Sequence, residues 1–198
     1  MDASLADIAA AKAKMRARLR FRRDRYAASL SDVVLAVAFR SPPAPLRSLL
    51  TEARCVGGYA ELAGEAPVNG LLAAAAASGV LTALPWFAAR DDAMQFAVWN
   101  AGDALATGPW RVPQPESTDA DIVPSLLLCP LLGFDRRGGR LGQGGGHYDR
   151  YLAVHGDILR VGIAWSVQEV DDVPCAPHDL MLDAVLTEQE WIMTGERL

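Results

Sequence analysis

A short apolar run in the second half of the chain constrains the fold most strongly. Residues 125–129 read Ser-Leu-Leu-Leu-Cys and show no alternation between apolar and polar side chains. A short continuous apolar run of this kind is typical of a strand buried on both faces, as in the centre of a parallel sheet. The run therefore predicts an α/β fold in which helices cover both faces of the strand.

The rest of the chain alternates between predicted helices and predicted strands. Helices are predicted at 4–29, after Ser31, at 46–53, 68–78 and 146–155 and from Glu188, and further strands at 54–60, 80–84, 94–99, 159–164 and 184–187. Pro85 is expected to end the 80–84 strand, and residues 104–116 are predicted to form a loop because Gly and Pro recur there. With no internal repeat and no disordered linker, residues 1–198 are expected to form a single domain with a mostly parallel sheet flanked by helices.

The charge balance argues against a general nucleic-acid binder. The 198 residues include 24 acidic and 19 basic side chains, a net charge of −5, whereas nucleic-acid-binding domains are usually basic. The basic residues concentrate at 12–25 and at 136–140. Local basic clusters on an otherwise acidic protein favour the binding of a small anionic ligand at one defined site.

No secretion signal, membrane span or disulfide framework is visible. The three cysteines form no CxxC pair, and the basic N-terminal stretch is not followed by the apolar segment of a signal peptide. The uncharged stretch 71–89 is interrupted by Ser78-Gly79 and by Pro85, which favours a helix, a turn and a strand over a membrane span. We therefore expect a cytoplasmic monomer with no membrane or nucleic-acid partner.

The predicted first helix carries cations on the face that should be buried. Its apolar residues recur at helical spacing: Leu5, Ile8, Met15, Leu19 and Tyr26. Lys12 and Arg23 fall into the gaps of this stripe, and Arg16 lies one turn beyond Lys12. Buried cations are costly unless they are paired, and an anion is one natural partner.

The most informative segment is 134–152, which is rich in glycine, follows the apolar run at 125–129 and opens the predicted helix at 146–155. Open α/β sheets bind ligands beyond the carboxyl ends of their strands. Glycine allows backbone N–H groups to approach phosphate oxygens closely, and a helix N-terminus and Arg140 add favourable charge. The Walker A sequence is absent and the dinucleotide pattern lacks its third glycine, so on glycine content alone a flexible surface turn remains an alternative.

The segment from Pro130 to Arg150 closely resembles the hallmark motif of the 5-formyltetrahydrofolate cyclo-ligases. Further stretches are similar to that family in the same order, at 12–16, 58–65, 108–116 and 173–183. The resemblance implies an α/β domain with a Rossmann-like three-layer arrangement, resembling the NagB/RpiA/CoA-transferase-like fold. It also implies an enzyme that uses ATP and Mg²⁺ to convert 5-formyltetrahydrofolate to 5,10-methenyltetrahydrofolate. In that family ATP phosphorylates the formyl oxygen, N10 attacks the activated carbon, and phosphate leaves.

The resemblance also implies roles for individual residues. The expected ATP-binding residues are Lys12, Arg16, Arg140, Leu141, Gly142, Gln143, Gly144, Gly145, Gly146, His147 and Tyr148. Glu65 and Arg140 are expected to be catalytic, and the folate is expected to contact Ala60, Glu65, Trp110 and Tyr148. Asp149 and Asp183 are expected to hold Mg²⁺, directly or through water. Taken singly, the acids also suit simpler interpretations: Glu65 as a loop acid, Asp149 as a first-turn helix acid and Asp183 as a strand-edge cap.

The chain departs from the family pattern at three places. Gln143 replaces a usual aromatic or basic residue, His147 replaces the first tyrosine of a Tyr-Tyr-Asp sequence, and Glu65 is followed by Ala-Pro where an acid–isoleucine pattern is common. His147 would keep an aromatic surface and add a group that titrates near neutral pH. These departures leave two alternatives open: a non-catalytic binder of folate or nucleotide, and an ATP-dependent enzyme that acts on another small formylated or amide substrate.

Overall fold

The computed structural model describes residues 4–116, 121–176, 179–195 and 197–198. Its α-helices are α1 (Leu5–Ser29), α2 (Asp32–Val37), α3 (Ala44–Glu52), α4 (Asn69–Ala77) and α5 (His147–Val154). Its strands are β1 (Cys55–Gly57), β2 (Leu81–Trp86), β3 (Gln95–Val98), β4 (Leu105–Thr107), β5 (Pro113–Pro115), β6 (Leu126–Pro130), β7 (Gly133–Phe134), β8 (Arg140–Leu141), β9 (Leu159–Ile163), β10 (Ala184–Leu186) and β11 (Trp191–Met193). Single 3₁₀ turns lie at Pro109–Arg111 and Ser166–Gln168.

The central sheet has seven strands in the order β11-β10-β9-β6-β1-β2-β3. The five inner strands run parallel, and the two edge strands, β3 and β11, run antiparallel to their neighbours. The predicted α/β class with a mostly parallel sheet is confirmed. The apolar run at 125–129 corresponds to β6, which is the fourth of the seven strands, as its composition indicates.

Helices cover both faces of the sheet because successive side chains of a strand point to opposite sides. Leu126 and Leu128 pack on the face covered by α3 and α4, while Leu127 and Cys129 pack on the face covered by α5. All four side chains are buried. This double burial explains why β6 has no polar position, and it anchors the segment that follows the strand.

Helix α1 begins where the sequence indicates. The hydroxyl of Ser4 accepts a hydrogen bond from the Asp7 backbone N–H, and the Asp7 carboxylate accepts one from the Ser4 backbone N–H, which forms a capping box. Further along the helix, Leu19 is fully buried against Leu132, which precedes β7, and against Leu141 of β8. This packing brings the basic residues of α1 towards the glycine-rich segment. Among the described residues, no helix combines the length and the apolar character that a membrane crossing requires.

Three local predictions were wrong. Strand β2 continues through Pro85 to Trp86. Its pairing with β1 ends at Ala83, opposite Gly57, and beyond that point it pairs only with β3. Pro85 is tolerated there because β2 has no second neighbour that would require its missing N–H. The stretch 104–116 contains the β4–β5 hairpin. The chain after 188 forms strand β11 at the sheet edge, where Trp191 and Ile192 pair with β10, in place of the predicted helix.

Candidate functional site

A cavity of about 670 Å³ lies at the carboxyl edge of the sheet. It lies beside the point where the order of the strands reverses, since the chain passes from β1 to β2 on one side and later from β6 to β9 on the other. Open α/β sheets bind ligands at such a switch point. The cavity is lined by α1, by the carboxyl ends of β2 and β6, by the segments after β1, β2 and β6, by the 108–113 loop, by residues 140–149 and by the C-terminal loop. The lining residues are Leu5, Ile8, Ala9, Lys12, Arg16, Tyr59, Ala60, Leu62, Glu65, Pro85, Phe87, Met94, Trp110, Val112, Pro113, Pro130, Leu131, Arg140, Leu141, Gly142, Gln143, Gly144, Gly145, Gly146, His147, Tyr148, Asp149, Ala176 and Asp179.

The glycine-rich segment curves along one side of this cavity between β8 and α5. Gly144 and Gly146 have φ angles of +110° and +65°, a left-handed backbone that favours glycine. The Arg16 Nε donates a hydrogen bond of 3.0 Å to the Gly142 carbonyl, which ties α1 to the segment. A Cβ atom on Gly144 would lie 3.5 Å from the guanidinium carbon of Arg16, so the cation lies directly against this backbone.

Two of the cavity cations are paired with carboxylates of the protein. Lys12 forms an ion pair with Asp179, and both side chains are largely buried, with 12% and 13% exposed. The same Asp179 oxygen accepts a 2.6 Å hydrogen bond from the Ala176 backbone N–H, so the C-terminal loop holds this acid in place. Arg140 donates to Asp149, which lies in the first turn of α5. An anionic ligand would therefore compete with internal carboxylates for these cations.

Arg140 has donor capacity left over. Its side chain is 4% exposed, and its guanidinium carbon lies 5.8 Å from the centre of the Tyr148 ring, at cation–π distance. Its Nη1 atom is buried and has no hydrogen-bond partner among the described residues. A buried donor without a partner is costly, and the Cys129 thiol, which interacts with this guanidinium, is the protein group that can offset part of the cost.

Glu65 is a buried carboxylate in the cavity wall, with 7% of its side chain exposed. Burial raises its pKa, and this effect is opposed by a hydrogen bond from the Leu62 backbone N–H, by the nearby Arg23 guanidinium and by Gln143. A carboxylate with a raised pKa is better suited than an ordinary surface carboxylate to accept a proton and return it.

Three rings form a compact cluster on the cavity surface. The ring centres of Phe87, Trp110 and His147 lie 4.9–5.2 Å from one another. Trp110 adopts a φ of +54°, which is unusual for a bulky residue. Burial and the Arg150 guanidinium lower the pKa of His147 below its ordinary value, which favours the neutral imidazole.

The structure places Asp183 away from this cavity. One carboxylate oxygen accepts hydrogen bonds from the Arg160 backbone N–H and Nε, and the other lies 3.5 Å from Arg197. Asp183 directly precedes β10 and so lies at the amino ends of the parallel strands. There it supplies a negative charge to the buried Arg160 guanidinium. Within the described ranges, no group of three or more His, Cys, Asp or Glu side chains is arranged to hold a metal ion. In contrast to the prediction, Asp149 and Asp183 are not brought together.

Every other predicted site residue lines the cavity. Tyr59, Phe87 and Asp179 also line the cavity, although the sequence did not indicate them as site residues. Phe87 directly follows β2, so its position at a strand's carboxyl end was the available signal. Asp179 belongs to the C-terminal signature at 173–183, of which residues 177 and 178 lie outside the described residues.

Comparisons with known proteins bear on this site. Residues 8–188 match the sequence model described as the 5-formyltetrahydrofolate cyclo-ligase family. The chain is 30% identical to 5-formyltetrahydrofolate cyclo-ligase of Mycolicibacterium smegmatis over 158 residues, which cover 75% of this chain and 80% of that protein. For the Escherichia coli K12 enzyme the identity is 33% over 105 residues, which cover 48% and 58%. The mitochondrial enzyme of Arabidopsis thaliana is 29% identical over 126 residues, which cover 52% and 46%.

Solved structures show the same fold. An NMR structure of Aquifex aeolicus 5,10-methenyltetrahydrofolate synthetase aligns with a TM-score of 0.69 and 22% identity, and the alignment covers 94% of this chain and 95% of that one. A synthetase from Mycoplasma pneumoniae aligns with a TM-score of 0.61 and 21% identity. By sequence, the chain spans about half the length of the E. coli and A. thaliana relatives.

Proposed function

The chain belongs to the 5-formyltetrahydrofolate cyclo-ligase family, and from that premise we propose that it converts 5-formyltetrahydrofolate to 5,10-methenyltetrahydrofolate at the expense of ATP. One observation carries the proposal: three cations and one buried carboxylate with a raised pKa line a single cavity at the switch point of the sheet. The cations suit a triphosphate, and the carboxylate suits proton transfer at a neighbouring substrate.

The triphosphate would lie against Lys12, Arg16 and Arg140, a group that we call the cationic wall. Lys12 would exchange its ion pair with Asp179 for a phosphate oxygen, and Arg140, which lines the same cavity, would add a second cationic contact. The backbone N–H groups of the 142–146 segment and the N-terminus of α5 would add further donors. Together these groups would stabilise the charge that develops as the γ-phosphoryl group moves to the formyl oxygen.

Asp149 is the residue that we assign to magnesium. Mg²⁺ prefers one or two carboxylates together with phosphate oxygens and water, so a single acid in the cavity wall fits its needs without a preformed cage. The Asp149 side chain is 32% exposed and lies beside Arg140. Bound Mg²⁺ would neutralise part of the triphosphate charge, and Asp149 would set its position relative to Arg140.

Glu65 would handle the proton of the ring-closing step. When N10 of the folate attacks the activated formyl carbon, a C–N bond forms and N10 must lose its proton. Glu65 would accept this proton and return it to the departing phosphate oxygen as the C–O bond breaks. The balance then needs no further reactant, and the raised pKa of Glu65 fits both halves of the transfer.

The folate rings would pack against Phe87, Trp110 and His147, a group that we call the ring wall. Aromatic and apolar surfaces bind a flat heterocycle by stacking and by burial. Ala60 and Tyr148 line the same cavity and would complete the contact. Filling of this side by the substrate would also keep water from the phosphorylated intermediate.

The test is a direct assay of product formation. The protein is mixed with Mg-ATP and 5-formyltetrahydrofolate, and the near-ultraviolet absorbance of the methenyl product is followed, with ATP omitted in the control. We expect absorbance to rise only with ATP and ADP to appear in equal amount. Intact ATP binding without product would contradict the proposal and favour a non-catalytic binder or another formylated substrate.

A further inference from the structure

Two side chains from outside the Glu65 loop approach the Glu65 carboxylate at the same oxygen. Arg23 of α1 brings Nη1 to 3.7 Å from Oε1, and Gln143 of the glycine-rich segment brings Nε2 to 3.5 Å from Oε1. The other oxygen, Oε2, accepts a 3.0 Å hydrogen bond from the Leu62 backbone N–H within the loop. Oε2 is therefore held by a hydrogen bond within the loop, whereas the contacts of Oε1 come from α1 and from the glycine-rich segment.

The orientation of the Gln143 amide follows from its second partner. Arg20 Nη2 donates a 2.9 Å hydrogen bond to Gln143 Oε1. A guanidinium can only donate, so the carbonyl end of the amide must face Arg20 and the NH₂ end must face Glu65. Gln143 thus connects a cation of α1 to the carboxylate with a defined polarity.

Arg23 cannot take over this role without moving. Its side chain is 5% exposed, and its Nε and Nη2 atoms are engaged by Asp24 and by the Ala63 carbonyl. Its Nη1, which faces Glu65, has no hydrogen-bond partner among the described residues. The ionic contact at 3.7 Å therefore supplies charge, whereas Gln143 supplies the directed N–H donor.

We infer that Gln143 is a positioning residue that aligns the Glu65 carboxylate and links it to the segment proposed to bind the triphosphate. The inference rests on the proposed function for its catalytic consequence, but the alignment of Glu65 is a property of the protein alone. Gln143 is one of the three places named above where this chain departs from the pattern of the family that it resembles.

The charged surroundings of Glu65 determine the sign of the expected effect. Arg23 and Gln143 lower the Glu65 pKa, whereas burial and Glu61 raise it. The phenols of Tyr59 and Tyr148 stay neutral, because burial raises the pKa of each well above its ordinary value. Asp24 is already paired with Arg23. Loss of the Gln143 N–H donor should therefore raise the Glu65 pKa further.

The experiment measures the Glu65 pKa directly. The carboxyl carbon of Glu65 is followed by ¹³C NMR against pH in uniformly labelled protein, and its signal is assigned from its absence in Glu65→Gln. Three variants are compared with wild type: Gln143→Met, which keeps the length without the amide, Gln143→Glu, which adds a negative charge, and Arg20→Gln, which leaves the amide free to rotate.

We expect the Glu65 pKa to rise in Gln143→Met and to rise more in Gln143→Glu, because a like charge disfavours ionisation. Arg20→Gln should give a smaller rise of the same sign. Arg18→Gln is the matched control, since Arg18 is an exposed arginine of the same helix, and it should leave the titration unchanged. An unchanged Glu65 titration in Gln143→Met and in Gln143→Glu would overturn the inference.

The catalytic consequence is read from the acidic limb of the pH–kcat profile. Loss of one hydrogen bond to a carboxylate should lower kcat of Gln143→Met on that limb by about three- to tenfold relative to the plateau. In the Glu65→Gln background the same change should have no pH-dependent effect. A fall by one factor at every pH would overturn the link to catalysis. If the wild type forms no methenyl product, the proposed function fails, while the NMR titration still tests the alignment.

Discussion

The cationic wall and the ring wall of the cavity are built on different principles. Each cation of the cationic wall already has a protein partner: Asp179 for Lys12, the Gly142 carbonyl for Arg16 and Asp149 for Arg140. The three rings of the ring wall pack on one another and come from three separate parts of the chain. The cationic wall must exchange partners to bind a ligand, whereas the ring wall is formed in advance.

This difference indicates how each ligand would bind. A triphosphate must displace carboxylates, so its binding should depend on ionic strength and on the identity of each cation. A folate would meet preformed apolar surface, so its binding should depend on ring area. Glu65 belongs to neither wall, and changes to it should affect the reaction more than the binding of either ligand.

The largest effect is expected from Glu65→Gln. Loss of the proton acceptor should lower kcat by about 10²–10⁴-fold while the KM values for ATP and folate change little, because neither wall is altered. Steady-state kinetics with both substrates measure the separation. A Glu65→Gln enzyme with nearly full kcat would rule out the proton-transfer role.

The same variant makes a prediction about stability. The folded protein binds the Glu65 proton more tightly than the unfolded chain, because the folded-state pKa is raised. This contribution to the free energy of unfolding is fully present below the unfolded pKa and is lost as pH rises through the folded pKa. Chemical denaturation at a series of pH values should therefore show wild type losing stability relative to Glu65→Gln as pH rises. A constant difference would contradict the raised pKa.

Lys12→Met should give the next largest effect, confined to the nucleotide. Loss of one charge-assisted contact to the triphosphate should reduce kcat/KM for ATP by about 10²–10³-fold and leave folate binding intact. Lys14→Met is a matched control, because Lys14 is an exposed lysine of the same helix and does not line the cavity. Equal losses in the two variants would mean that Lys12 acts only through general charge.

The two acids first expected to share a metal should behave differently. Asp149→Asn should raise the Mg²⁺ concentration needed for half-maximal activity by about 10- to 100-fold, since a carboxylate ligand is lost. Asp183→Asn should leave that concentration unchanged and lower the free energy of unfolding by about 1–3 kcal/mol, because Arg160 loses its buried counter-charge. Magnesium titrations and denaturation curves of both variants distinguish the roles. A Mg²⁺ shift in Asp183→Asn would contradict the assignment.

Trp110→Ala should give the smallest of these effects. Its ring contacts with Phe87 and His147 are lost, together with part of the proposed folate surface, so KM for 5-formyltetrahydrofolate should rise about tenfold. KM for ATP should not change. Trp191→Ala is a control, because Trp191 lies in β11 and is not part of the cavity lining. A rise in KM for ATP alone would contradict the division into two walls.

The sequence predicted the site where a single continuous segment determines it. The segment at 134–152 can be recognised from the order of its residues and from its glycine content. All ten residues from Arg140 to Asp149 line the cavity. Asp183 could not be placed in this way, because its environment depends on Arg160 in another strand. The strand at Trp191–Met193 could not be predicted from its own residues either, because it forms by pairing with β10 at the sheet edge. Local sequence patterns therefore predict continuous segments, whereas contacts between distant parts of the chain determine the surroundings of Asp183 and the last strand.

The most direct test of the two-wall account is a pair of binding titrations by calorimetry. A non-hydrolysable ATP analogue with Mg²⁺ and 5-formyltetrahydrofolate are titrated separately into wild type, Lys12→Met and Trp110→Ala. The account predicts that Lys12→Met loses affinity for the nucleotide only and that Trp110→Ala loses affinity for the folate only. The opposite pattern, with Lys12→Met weakening the folate and sparing the nucleotide, would contradict it.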